Sequence, residues 1–196
     1  MEFRSRKPTR LNGYDYSSQG AYFVTICTHD RKCLLSNIVG AIHESPSKSN
    51  QPSKKADRQS QNILTEYGII VQQIIEFLPV RFNISIPYYV IMPNHIHLII
   101  EIHNTNTRHK PNCEDSIREE RAIRESPLQR HHRSILDKTI GFMKMNAAKK
   151  INRTYGEKFW QRSYHDHIIR DEDDYWRIAE YIENNVSRWQ KDCFYL

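Results

Sequence analysis

The segment Tyr89-Val-Ile-Met-Pro-Asn-His-Ile-His-Leu-Ile-Ile100 constrains the fold more than any other stretch of the chain. β-Branched and aromatic residues on both sides of Pro93-Asn94 predict two strands joined by a tight turn, the second running from His95 to about Ile102. Side chains alternate across a strand, so His95, His97, Ile99 and Glu101 share one face while Ile96, Leu98, Ile100 and Ile102 share the other. Two imidazoles thus point the same way at the start of an apolar strand, a geometry that suits a divalent metal. A His-x-His pair alone is more often two partly exposed strand residues, and the rest of the chain has to decide.

At 196 residues the chain is long enough for one domain with a substantial core, and a single domain over 1–196 is expected. The charged share is 27%, and 29 Lys and Arg against 23 Asp and Glu leave a net charge of +6, which favours an anionic partner such as nucleic acid. Cys27, Cys33, Cys113 and Cys193 form no Cys-x-x-Cys pair, so neither a zinc ribbon nor a disulfide framework is indicated. The charged start Met-Glu-Phe-Arg-Ser-Arg-Lys lacks an apolar core behind it, and no run approaches the ~18 apolar residues of a membrane span. The expected compartment is the cytoplasm.

Arg4, Arg6, Lys7 and Arg10, followed by the rings of Tyr14 and Tyr16, combine cations with stacking surfaces that could grip a nucleic-acid strand; a solvated arm fits the same residues. Ala21 to Thr28 alternates as a strand, with Tyr22, Val24 and Ile26 on one face. Polar, Ser- and Lys-rich residues at about 41–60 and charge-mixed residues at 104–133 read as surface insertions. Between them, Thr65 is placed to cap a helix whose stripe is Tyr67, Ile70, Val71, Ile74 and Leu78, with Pro79 expected to stop it. A second helix from Ser134 to about Arg153 packs by Ile135, Leu136, Ile140, Met143, Ala147 and Ile151 and leaves Lys144 off that stripe.

Phe159 to Arg170 reads as a loop leading into a strand, and His165 and His167 are read there as surface or DNA-contacting residues rather than a second metal pair. Asp171 to Trp189 then reads as a helix with an acidic first turn and the stripe Tyr175, Ile178, Ala179, Ile182, Val186 and Trp189. Tyr181 and Asn185 lie beside that stripe at i and i+4, so they leave the helix together. Taken alone, they read as a half-packed tyrosine and a solvated asparagine.

Five blocks in this order resemble the REP-associated tyrosine transposases, of the single-tyrosine HUH class: Arg10-Leu-Asn-Gly-Tyr-Asp-Tyr16, Gly20-Ala-Tyr-Phe-Val-Thr-Ile-Cys-Thr28, Val90-Ile-Met-Pro-Asn-His-Ile-His97, Phe159-Trp-Gln-Arg-Ser-Tyr-His-Asp-His167 and Asp174-Tyr-Trp-Arg-Ile-Ala-Glu-Tyr-Ile-Glu-Asn-Asn185. The resemblance covers nearly all of the chain outside the two insertions. It implies an α+β, ferredoxin-like HUH endonuclease fold with a central antiparallel sheet of four to five strands flanked by helices. It also implies that Tyr181 is the nucleophile and that His95, His97 and Asn185 bind a divalent cation, with mixed His and Asn donors suiting Mg²⁺ or Mn²⁺. Where relatives place a proline after the asparagine, this chain has Val186, which leaves the end of the helix open.

The implied reaction is cleavage and rejoining of single-stranded DNA, near hairpins or palindromes, through a 5′-phosphotyrosine, by a monomer or homodimer. Lys144, Arg162 and His165 join the basic arm as candidate DNA contacts. Two other functions fit parts of the pattern. A single-stranded nucleic-acid-binding module needs the basic surface but not Tyr181 with Asn185, and a phosphodiesterase using metal-activated water needs the histidines but forms no covalent adduct.

Overall fold

The structure, a computed structural model, describes residues 14, 16, 18–40, 60–103 and 133–195. In chain order its elements are β1 (Gly20–Cys27), β2 (Ser36–Val39), β3 (Gln61–Leu64), α1 (Glu66–Arg81), β4 (Ile84–Ser85), β5 (Tyr89–Ile91), β6 (His95–Ile102), α2 (Ile135–Tyr155), β7 (His165–Ile169) and α3 (Glu172–Asn184). The cations Arg4, Arg6, Lys7 and Arg10, nearly all of the insertion at 41–60 and of that at 104–133, and Cys113 lie outside the described residues.

Five strands form one antiparallel sheet in which β4 and β5 both pair with β6, β6 pairs with β1, and β1 pairs with β7. A strand, a helix, an antiparallel strand pair, a second helix and a last strand beside the first make the split βαβ, ferredoxin-like connectivity. The fold is therefore the α+β architecture expected, with one helix more than that connectivity needs. Tyr22, Val24 and Ile26 of β1 and Ile96, Leu98 and Ile100 of β6 point into a core closed by α1 and α2. The opposite face carries Phe23 and Ile99 and packs on Ile178, Ala179 and Ile182 of α3. Covering on both faces is why β6 is apolar at nearly every position.

The helices begin where their caps predict. Thr65 Oγ1 accepts from the Gly68 amide at 3.2 Å, Ser134 Oγ from Asp137 at 3.0 Å, and Asp171 Oδ1 from Asp174 at 2.8 Å. Two helix ends correct the sequence reading. Pro79 does not stop α1, which runs through it to Arg81; proline removes only its own donor, and the ladder resumes with the Phe82 amide on the Leu78 carbonyl at 2.9 Å. α3 ends at Asn184 instead of Trp189, and the chain turns through 185–188 into a short 3₁₀ turn, Trp189–Lys191.

The β2–β3 hairpin was not anticipated. It borders the polar insertion, and each strand has only four residues. What fixes it is tertiary: Ser36 Oγ and Asn62 Nδ2 both donate to the Ile91 carbonyl, at 3.2 and 2.8 Å, and so dock the hairpin beside β5.

Candidate metal centre and the tyrosine beside it

The register of β1 on β6 sets His97 opposite Thr25 and His95 opposite Cys27, in the middle of the sheet on the α3 side. Both imidazoles are buried, His95 at 0% and His97 at 2% exposure. Burial, reinforced for His95 by the positive charge of Arg31 and for His97 by His95, pushes each ring down to about 3, so both are neutral and carry a free lone pair at neutral pH.

Asn94 settles which His95 nitrogen holds the proton. Its Nδ2 donates to the Phe194 carbonyl at 2.8 Å, so the atom facing His95 is the acceptor Oδ1, which takes a hydrogen bond from His95 Nδ1–H at 2.8 Å. His95 Nε2 is therefore unprotonated, and it is buried without a hydrogen-bond partner. His97 Nδ1 lies 2.9 Å from Thr25 Oγ1, and its Nε2 lies 3.2 Å from the Tyr181 hydroxyl.

A third donor comes from a residue that sequence reading missed. Beyond α3 the chain reverses and brings Asp192 back over the sheet, and one ligand atom from each of His95, His97 and Asp192 lies within 4.8 Å of the others. His95 Nε2 and Asp192 Oδ2 are 3.9 Å apart, with both side chains almost fully buried. That gap is too long for a hydrogen bond, and the neutral ring makes no ion pair across it. A buried carboxylate facing an orphaned imidazole lone pair is the environment of a cation, and the donor set fits one. Only the register of the 3₁₀ turn could have revealed Asp192, and it lies past the point where helical periodicity ends.

Asn185 follows the last residue of α3, buried at 2% exposure with its Oδ1 lacking any hydrogen-bond partner. It keeps the i, i+4 relation to Tyr181 because its backbone is still helical, at φ −62° and ψ −41°. Tyr181 lies edge-on to His97 and to Phe23, with ring centroids 5.3 and 6.1 Å away. Burial and the negative charge of Asp192 hold its hydroxyl above the usual phenol range, and the Asn185 amide pulls the other way. Two other tyrosines near the helices are tied elsewhere: Tyr175 donates to Glu101 and Tyr164 to Asp137, at 2.8 and 2.9 Å.

The returning segment also covers the centre. The Phe194 ring lies 4.5 Å from that of His95, Arg31 sits 5.1 Å above the Phe194 ring, and Trp189 flanks His95 at 5.9 Å.

The expected DNA contacts fare unevenly. Tyr16 is a correction: at 6% exposure it belongs to the core and packs 5.9 Å from Tyr22, so its ring has no free face for a base. Tyr14 beside it is exposed at 37%. Lys144 is a second correction, because its ammonium donates to the carbonyls of Gln161, Arg162 and Ser163 at 2.6, 3.2 and 3.1 Å and so pins that loop. Arg162 and His165 are exposed. His167 is exposed too, with Nε2 2.7 Å from Asp174 Oδ2.

The sheet with helices on both faces is the fold of a solved REP-associated tyrosine transposase bound to a REP hairpin, with a TM-score of 0.50 and 15% identity over 92% of this chain and 74% of that one. No protein-family profile matches the sequence. A protein of Haemophilus influenzae, described only as an uncharacterized protein, is 34% identical over 97% of this chain and 93% of its own length. The chain belongs to one family with that protein. Among the described residues no helix is long and apolar enough to cross a membrane.

Proposed function

We propose that the protein is a metal-dependent, single-tyrosine HUH transposase that cleaves and rejoins single-stranded DNA through Tyr181. The observation that carries this reading is the Tyr181 hydroxyl held 3.2 Å from Nε2 of His97, one of three residues whose ligand atoms cluster over the same face of the sheet. A binding module has no use for a phenol aimed at an orphaned donor cluster. His95, His97 and Asp192 would hold the cation, Mg²⁺ or Mn²⁺, and Asn185, whose buried Oδ1 has no hydrogen-bond partner, would offer a further oxygen donor. A divalent cation there supplies positive charge for the non-bridging oxygens of a phosphodiester.

The rest is done by the chain. Tyr181 Oη forms a bond to phosphorus as the bond from phosphorus to the 3′ oxygen breaks; the phenolic proton passes to water, and the departing oxygen takes one up. The product is a 5′-phosphotyrosine and a free 3′-hydroxyl. Because one phosphodiester replaces another, a 3′-hydroxyl can reverse the step without ATP. Thr25 and Asn94 fix the two imidazole rings, a role typical of residues hydrogen-bonded behind metal ligands. The fold it shares with a transposase solved on a REP hairpin supports hairpin-bearing single strands as substrate.

The test is incubation with single-stranded hairpin DNA and Mn²⁺, followed by a denaturing gel. A protein–DNA adduct that disappears in Tyr181→Phe is expected. An adduct that persists in that variant moves the nucleophile elsewhere, and cleavage without an adduct in the wild type favours metal-activated water.

A further inference from the structure

A cavity of about 570 Å³ opens beside Tyr181, between α3 and the sheet face that carries Phe23 and His167. Its floor is the metal-side machinery, Thr25, His97 and Tyr181, and its walls include Phe23 and Phe194, so apolar ring surface stands next to the phenol. Phe23 is held in place by stacking on His97, with centroids 5.1 Å apart and planes 28° from parallel. The rim carries two arginines and one glutamate, Glu180. Arg177 and Arg188 line the cavity with His167, and the Asp174 carboxylate grips both His167 Nε2, at 2.7 Å, and the Arg177 guanidinium. Asp174 is itself largely buried, at 16% side-chain exposure, and so holds both side chains at one edge.

Ring walls, two arginines at the rim and a volume within the roughly 300–1,000 Å³ of small-molecule sites define a chemistry. Base–aromatic stacking suits any nucleobase, and a guanidinium fork suits a phosphate. We infer that this cavity seats one unpaired nucleotide adjoining the scissile phosphate, its base against Phe23 and its neighbouring phosphate on Arg177 and Arg188. The inference rests on the reading of Tyr181 as the nucleophile and adds to it a positioning subsite. Unstacking that nucleotide from its neighbour and lodging it in the cavity places the phosphate within reach of Oη. Specificity then follows: a base that is paired or stacked in a hairpin stem cannot enter, so cleavage falls at an unpaired nucleotide.

Two measurements test this. The first needs no catalysis: thymidine 3′,5′-bisphosphate is titrated into metal-free protein by isothermal calorimetry, with Arg177→Gln and Phe23→Leu as variants. Arg177 is 70% exposed at its side chain, so its replacement leaves the fold intact. Binding weakened at least fivefold in Arg177→Gln, with an unchanged melting temperature, is expected. No detectable binding to the wild type, or equal binding to wild type and both variants, overturns the proposal. The second follows adduct formation in single turnovers against DNA concentration, on hairpins whose nucleotide next to the cleaved bond is intact or abasic. Half-saturation raised by about tenfold in Phe23→Leu relative to wild type on intact DNA, and a clearly smaller ratio of variant to wild type on the abasic strand, is the expected pattern. Equal penalties on both strands exclude stacking and overturn the proposal, while adduct formation itself still supports Tyr181. Absence of any adduct with wild-type protein sinks the nuclease reading, and the calorimetry then judges the nucleotide site alone.

Discussion

His97 Nε2 can use its lone pair once. In the tautomer whose Nδ1–H is donated to Thr25 Oγ1, that lone pair faces the Tyr181 hydroxyl at 3.2 Å, and as a metal ligand it cannot accept that hydrogen bond as well. Loading the centre therefore releases the phenol. Tyr181→Phe removes the competitor, and since a hydrogen bond is worth about 0.5–1.5 kcal/mol net, Mn²⁺ should bind this variant about two- to tenfold more tightly than wild type in equilibrium dialysis. Equal or weaker affinity would show that the phenol does not compete. The neutral rings also set a pH dependence. Unfolded imidazoles protonate near 6.5 and these two only near 3, so between those values the unfolded chain binds more protons. Stability of the metal-free protein should be undiminished by them above about pH 6.5 and fall as pH drops toward 3, by at most about 1.4 kcal/mol per unit for each ring. Urea denaturation with chelator at several pH values reads the slope, which should flatten in a His95→Asn, His97→Asn double variant.

Among the elements, α1 shows how local and tertiary signals divide. Thr65 and the stripe of Val71, Ile74 and Leu78 are legible because a cap and a 3.6-residue period are properties of the chain itself. Gly68 is not legible in this way. Its Cα approaches the loop just before β2 so closely that an added Cβ would lie 2.1 Å from the Leu35 carbonyl oxygen, backbone that cannot swing aside. Gly141 of α2 has nothing within 4 Å of the same position. Gly68→Ala should thus cost stability, on the order of 1–3 kcal/mol for overpacking, and Gly141→Ala should add about 0.5–1 kcal/mol from helix propensity. Matched denaturation curves check both, and a neutral Gly68→Ala would mean that α1 can lift off the loop. The same division runs through the site. His95 and His97 are visible from strand alternation and Tyr181 with Asn185 from helical spacing, whereas Asp192 depends on a chain reversal that no periodicity marks. Tyr16 and Lys144 misled for a related reason: a ring and a cation look available in sequence until the fold gives them partners.

For the whole molecule, the centre ties the middle of the sheet to the segment after α3. A ligand that binds only the folded state adds stability by mass action, about 2.7 kcal/mol at a hundredfold excess over its dissociation constant. Saturating Mn²⁺ should raise the melting temperature by several degrees, and Asp192→Ala should remove most of that shift while leaving the metal-free melting temperature within a few degrees of wild type. An undiminished shift in that variant would place the cation elsewhere. Asn94, whose two amide atoms hold His95 and the Phe194 carbonyl, is the joint of this arrangement, and its partners are 1 and 100 positions away in sequence. Synthesis gives that span a direction. The sheet strands β1, β5 and β6 and both core helices can leave the ribosome and pair while residues beyond 190 are still in the exit tunnel, so a nascent chain has its two histidines long before it has their carboxylate. The competent centre is thus made only after the sheet strands and both core helices, and a chain halted after α3 carries Tyr181 without a complete donor set beside it.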